Sequence, residues 1–203
     1  MSKKNKKQNP KKRKRIAVVD GTSIPNQLRK ARSYPVKECY ITEGWQEGGI
    51  GNIYILREKP NGNFVMGVFL IDIFCLGLKN TFYNPDISSA EIKDMINNKP
   101  DEKQIEIDID DAHSIIYGGI DYAENLGFKP HSDFKVTKFI LSPWEEIEFD
   151  DTIEFGKDGK PFYFAGPYDS QEKISRIIRH LEESVGKDNF TFAIPGDDLI
   201  YQS

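Results

Sequence analysis

Cysteine is scarce in this 203-residue chain, with only Cys39 and Cys75. Two cysteines set far apart in strand-like segments exclude a disulfide scaffold, and they read as small core residues of a reducing compartment. Long apolar runs are also lacking. The longest, Phe64 to Leu78, is broken by Asp72 and falls short of the roughly 20 residues that cross a bilayer. After the basic start only Ile16 to Val19 is apolar before Asp20, whereas a secretory core needs about 7–15 such residues. The expectation is a cytoplasmic protein that takes no membrane partner. Missing too are a Gly-x-Ser-x-Gly elbow, a Walker loop, a Cys-x-x-Cys pair and a His-Glu-x-x-His helix, so the common hydrolase, nucleotide-binding and structural-zinc readings have no support.

What is present suits one globular domain or two small ones, with 38% hydrophobic and 30% charged residues. The net charge of -4 conceals a polarised chain. Residues 1–15 hold nine cations, Lys3, Lys4, Lys6, Lys7, Lys11, Lys12, Arg13, Lys14 and Arg15, and no acid. Arg29, Lys30, Arg32 and Lys37 extend this to 13 bases against Asp20 alone, while residues 38–203 carry 15 bases against 31 acids. Like charges without apolar residues do not collapse, which predicts a disordered basic arm over 1–15. Its two main uses are sequence-blind phosphate binding by counterion release, or solubilisation and folding back on the acidic body.

Local signals outline an α+β body. Ser23 and Pro25 suit the start of a short helix to Ala31, which would extend the basic surface. Strands are expected over Val36 to Thr42 and Asn52 to Lys59, with the turn Pro60-Asn61-Gly62-Asn63 leading to a strongly apolar, centrally placed strand from Phe64. Ser88 and Glu91 have capping-box spacing before a helix to about Asn98, and a polar linker follows to Gln104. Apolar positions from Ala112 to Leu126 recur in steps of three and four, and Gly127 is a natural stop. A short helix over Asp133 to Leu141 ends at Pro143. The C-terminal third reads as a β-β-α-β unit: strand Ile147 to Phe155, turn Asp158-Gly159, strand Pro161 to Ala165, helix Ser170 to Val185 with a capping box at Asp169 to Glu172, and strand Phe190 to Ile194. Mixed elements without regular alternation predict a mainly antiparallel sheet with packed helices. The corresponding division is arm 1–15, body 16–141 and C-terminal unit 142–203 packed on it, or a single domain over 34–194.

Several groupings have chemical potential. Asp72 lies among apolar neighbours on one face of its strand, and a carboxylate buried there must be paired, hydrogen-bonded, protonated or on a metal. His113, Tyr117, Asp121 and Glu124 form a polar ridge opposite the apolar stripe of their helix. Should the ridge border a cleft beside Asp72, then Asp72, His113, Asp121 and Glu124 would be catalytic, holding a divalent cation for phosphodiester chemistry with His113 as general acid or base. The alternative is a solvated helix face. The glycine loop Glu47 to Asn52 leads into a strand rather than a helix, which favours sharp turns over phosphate binding. Pro130-His131-Ser132-Asp133 offers two ligands, or simply a helix-capping loop. Alternating charges on the last helix, among them Lys173, Arg176, Arg179, His180, Glu172, Glu182 and Glu183, are expected to be surface pairs.

The blocks ECYITEGWQEGGIGNIYILREKPNGNFVMGVFLIDIFCLGLKNTFYN, IIYGGIDYAENLGFKPHSDF and EFGKDGKPFYFAGPYD resemble a family of uncharacterised bacterial proteins, some of which join this region to a metal-binding SEC-C module. The resemblance spans Tyr34 to Ile194 and implies no activity or catalytic residue. No C-terminal cysteine cluster is present, so the module's zinc does not transfer. The favoured reading is a nucleic-acid-associated protein, with RNA or a ribonucleoprotein preferred over DNA. Phosphate contacts would come from the arm together with Arg29, Lys30 and Arg32. The alternatives are a divalent-cation-dependent nuclease or phosphoesterase, and a non-enzymatic adaptor for a basic protein partner.

Overall fold

The computed structural model describes residues 26–97 and 102–195. A single helical turn, α1 (Asn26–Arg29), and a 3-10 turn at Ala31–Ser33 lead into β1 (Val36–Thr42). The glycine loop contains one more turn, α2 (Trp45–Gly48). Next come β2 (Ile50–Glu58) and β3 (Phe64–Asp72), joined at Asn61-Gly62 as the sequence signals, with Gly62 N–H donating to the Lys59 carbonyl at 2.9 Å. β4 (Gly77–Ile87) pairs antiparallel with β3, α3 (Ser89–Asn97) follows, and β5 (Gln104–Glu106) pairs with β1. The sheet order is β4-β3-β2-β1-β5, all antiparallel.

The sheet is buried on both sides, which is why β3 is apolar at nearly every position. Val65, Phe69 and Ile71 face α4 (Ile109–Asn125), which contributes Ala112, Ile115 and Ile116 to the main core. Phe64, Met66 and Val68 point the other way, toward Ile92 of α3. The expected capping box opens α3: Ser88 N–H donates to Glu91 Oε2 at 2.9 Å, and Glu91 N–H donates back to Ser88 Oγ at 3.4 Å.

Beyond α4, the expected helix over 133–141 is a single turn, α5 (Phe134–Thr137), followed by further turns. β6 (Phe162–Phe164), α6 (Gln171–Val185) and β7 (Thr191–Ala193) form a parallel βαβ unit. Ile174, Ile177 and Leu181 of α6 pack with Tyr163, Leu126 and Cys75, which seats the unit against the β3–β4 turn and the end of α4.

Two expectations are corrected. Residues 147–155 form no strand. Their alternating Ile147, Ile153 and Phe155 pack on the main core, while backbone groups find side chains instead of a ladder: Asp150 N–H donates to Ser114 Oγ at 3.1 Å and Thr152 N–H to Asp150 Oδ1 at 2.8 Å. The C-terminal unit is therefore β-α-β rather than β-β-α-β. At α6 the cap is Ser170, whose Oγ accepts from Lys173 N–H at 3.2 Å. Asp169 instead accepts from Tyr163 Oη and Gly166 N–H, both at 3.0 Å. Residues 77–87, for which the sequence offers no separate signal, form the full strand β4.

Candidate functional site

Asp72 is the last residue of β3 and only 6% exposed. Its Oδ1 accepts from Phe74 N–H at 3.1 Å and Cys75 N–H at 2.9 Å, so the carboxylate shapes the turn into β4. Burial pushes its pKa up, while Lys79 and the amides of 74–76 oppose this by favouring the anion. Lys79 occupies a bulge in β4. Leu70 pairs with Asn80 and Ile71 with Leu78, which leaves Lys79 without a residue opposite. Its Nζ stands 3.8 Å from Asp72 Oδ2, an ion pair beyond hydrogen-bond length. Lys79 donates no side-chain hydrogen bond among the described residues, although its side chain is only 21% exposed.

This pair lines a cavity of about 250 Å³ between the sheet and the βαβ unit. Phe74, Phe162 and Phe164 supply apolar walls, and Gly48, Gly49 and Gly166 bring backbone to its edge. Phe74 and Phe162 meet edge to face, with centroids 6.1 Å apart at 66°. Gly49 has φ +70°, and a Cβ there would stand 2.0 Å from Phe74 Cδ2, so only glycine permits this placement of the ring.

The polar ridge of α4 divides. His113 is 2% exposed and Tyr117 is also buried, whereas Asp121 and Glu124 face solvent. His113 Nε2 accepts from Ser142 N–H at 3.1 Å, which places the neutral ring's proton on Nδ1, and that atom has no partner among the described residues. Burial, with help from Arg57 and Arg32, pushes its pKa down to about 4, against a smaller opposing effect of Asp110. Tyr117 Oη donates to the Ser142 carbonyl at 2.7 Å. Asp72 lies on the strand face turned away from α4, so Asp72, His113, Asp121 and Glu124 do not assemble. No group of three potential ligands forms a metal site among the described residues. At the 131–133 loop, His131 Nδ1 accepts from Asp133 N–H at 3.3 Å, a local turn contact.

Lys3, Lys4, Lys6, Lys7, Lys11, Lys12, Arg13, Lys14 and Arg15 lie outside the described residues. Arg29 and Lys30 are exposed at the start of the body. Arg32 is engaged within the fold: its Nε donates to the Leu141 carbonyl at 2.6 Å and Nη2 to that of Lys138 at 3.0 Å. Its guanidinium and Lys138 Nζ both stand over Phe139, 5.4 and 5.7 Å from the ring centre. Arg57, 5% exposed, donates from Nε to the Ile140 carbonyl at 2.6 Å and from Nη1 to that of Tyr34 at 2.8 Å. Arg57 and Lys79 were missed as site residues. Arg57 alternates with Ile53 and Ile55 and was legible as inward-facing, whereas Lys79 depends on a strand and bulge without local signature.

Both cysteines are free and buried, and burial raises the Cys39 thiol to about 12 and lifts Cys75 further still. Neither is poised as a nucleophile. No described helix is long and apolar enough to cross a membrane. Compared with known proteins, the chain matches no family model, no curated protein and no solved structure.

Proposed function

We propose that this chain is a nucleic-acid-associated protein, favouring RNA or a ribonucleoprotein, that grips phosphate through its basic N-terminal segment and the cationic surface where that segment joins the body. The observation that carries this reading is continuity of charge. Nine cations in the first 15 residues lead to the exposed Arg29 and Lys30. Beside them, Arg32 bonds the Lys138 carbonyl and so holds α5 and the turn after it, with exposed Lys135 and Lys138, against this edge. Lysine and arginine on phosphate release counterions, and a run of cations without apolar residues suits the irregular phosphate array of folded RNA. The acidic remainder of the chain repels bare phosphate and directs contact to this end. Two unpaired, buried thiols suit the reducing cytoplasm.

The test is binding of a single-stranded adenine oligoribonucleotide at low and high salt, comparing the full chain with a variant in which the nine cations of residues 1–15 become glutamine. If all nine meet phosphate, log affinity falls against log salt with a slope of about -6, at about 0.7 per phosphate of a single strand. The variant should lose most affinity and most of the slope. Equal binding by both proteins, or none by either, would sink the reading.

A further inference from the structure

We propose that the cavity between the β3–β4 turn and the βαβ unit binds a guanine base through the edge that carries O6, N1–H and the 2-amino group. The inference deepens the nucleic-acid reading, and rests on it only for the source of the base, an unpaired nucleotide of a bound strand. Shape comes first. At about 250 Å³ the cavity lies at the small end of ligand sites, which run to roughly 300–1,000 Å³, and it suits a single base rather than a duplex. Phe74 and Phe162 pack against one another at 66° as a fixed wall, Lys157 Nζ stands 4.6 Å from the centre of the Phe162 ring, and half-exposed Phe164 completes the rim with the ring that is open to a flat ligand.

The polar end selects the base. Lys79 reaches the cavity from a bulge, mostly shielded from water, with donors that no described residue uses. Asp72 spends Oδ1 on the amides of Phe74 and Cys75, and its Oδ2 stands 3.8 Å from Lys79 Nζ. A ligand suited to both therefore presents an acceptor to the ammonium next to donors for the carboxylate. Guanine does so, with O6 toward Lys79 and N1–H toward Asp72 Oδ2, the amino group lying beside it. Adenine reverses both, offering its amine to the ammonium and bare N1 to the carboxylate. Uracil has a matching N–H beside a carbonyl but lacks the amino group and the second ring.

Full-length protein titrated with guanosine, adenosine and uridine, followed by proton NMR, tests the pocket without any phosphate. Guanosine should bind saturably, and adenosine and uridine at least about tenfold more weakly, since a mispaired base edge and lost stacking each cost about that much. Lys79→Met should weaken guanosine about tenfold. Phe164→Ala should weaken it similarly, and because Phe164 is 51% exposed this change leaves the core intact. The nine-glutamine variant should bind guanosine like the parent, so a failed pocket and a failed basic segment give different results. An adenine oligoribonucleotide containing one unpaired guanine should bind more tightly than its all-adenine counterpart. Equal binding of the two oligonucleotides would overturn the strand as the source. Absent saturation, equal affinity for another nucleoside, or unchanged guanosine binding by both variants would overturn the site.

Discussion

Between pH 6.5 and pH 4 the fold is expected to lose about 3 kcal/mol through His113 alone. Above this window the imidazole is neutral in both states and contributes no pH dependence. As the pH falls through 6.5, His113 of the unfolded chain takes up a proton while the buried ring resists until about 4. More protons are then bound to the unfolded state, so stability declines across the window and the loss is complete below it. Burial of the ring is the main cause, and Arg57 and Arg32 add positive potential that Asp110 only partly offsets. Asp72 acts in the opposite direction, because burial raises its pKa in the fold and acidification through that range favours the folded state. A His113→Gln variant isolates the histidine, since glutamine offers an acceptor that does not titrate. Urea unfolding near pH 7 and near pH 4 should show the parent losing about 3 kcal/mol more than the variant. Parallel pH profiles would falsify the assignment.

The same histidine shows where reading the sequence succeeds and where it stops. Elements whose signals are local were legible: Asn61-Gly62 makes its hairpin, Ser88 and Glu91 cap α3, and the stripe from Ala112 onward makes α4. The burial of His113 was not legible, because the His113 to Tyr117 part of that face is covered by Ser142 and Trp144, distant in sequence, and helical periodicity does not specify what crosses over a helix. Residues 147–155 misled for a related reason. Their alternation reflects side chains set against the core by an irregular segment, a pattern that a strand would also produce. Arg32 was assigned to phosphate by charge alone, and charge did not signal that two of its donors also hold the carbonyls of Lys138 and Leu141. At the cavity Asp72 was recognisable as an acid in an apolar setting, whereas its partner became visible only once Gly77–Ile87 formed a bulged strand.

Gly77→Ala is expected to destabilise the fold by about 2–5 kcal/mol. Gly77 opens β4 opposite Asp72 with φ +63°, a conformation that costs other residues about 1 kcal/mol or more. Strain is the smaller part. A Cβ there would stand 2.6 Å from Ala123 Cβ and 2.7 Å from the Gly119 carbonyl oxygen, and neither neighbour is a flexible side-chain end that could move aside. The added methyl must push α4 away from the sheet, at a junction where Gly119 packs on Ile71 and where the turn held by Asp72 begins. Gly62→Ala is the matched control. Its φ is +83°, but nothing lies within 4 Å of the new Cβ, so it carries the conformational cost without the collision. Urea unfolding should therefore separate the two variants by at least about 1–3 kcal/mol with unchanged m values. Equal losses would mean that α4 shifts freely over β4 and that the Asp72 turn is not fixed by this contact. A much larger loss for Gly77→Ala, accompanied by weaker guanosine binding, would tie the closeness of that helix to the shape of the cavity.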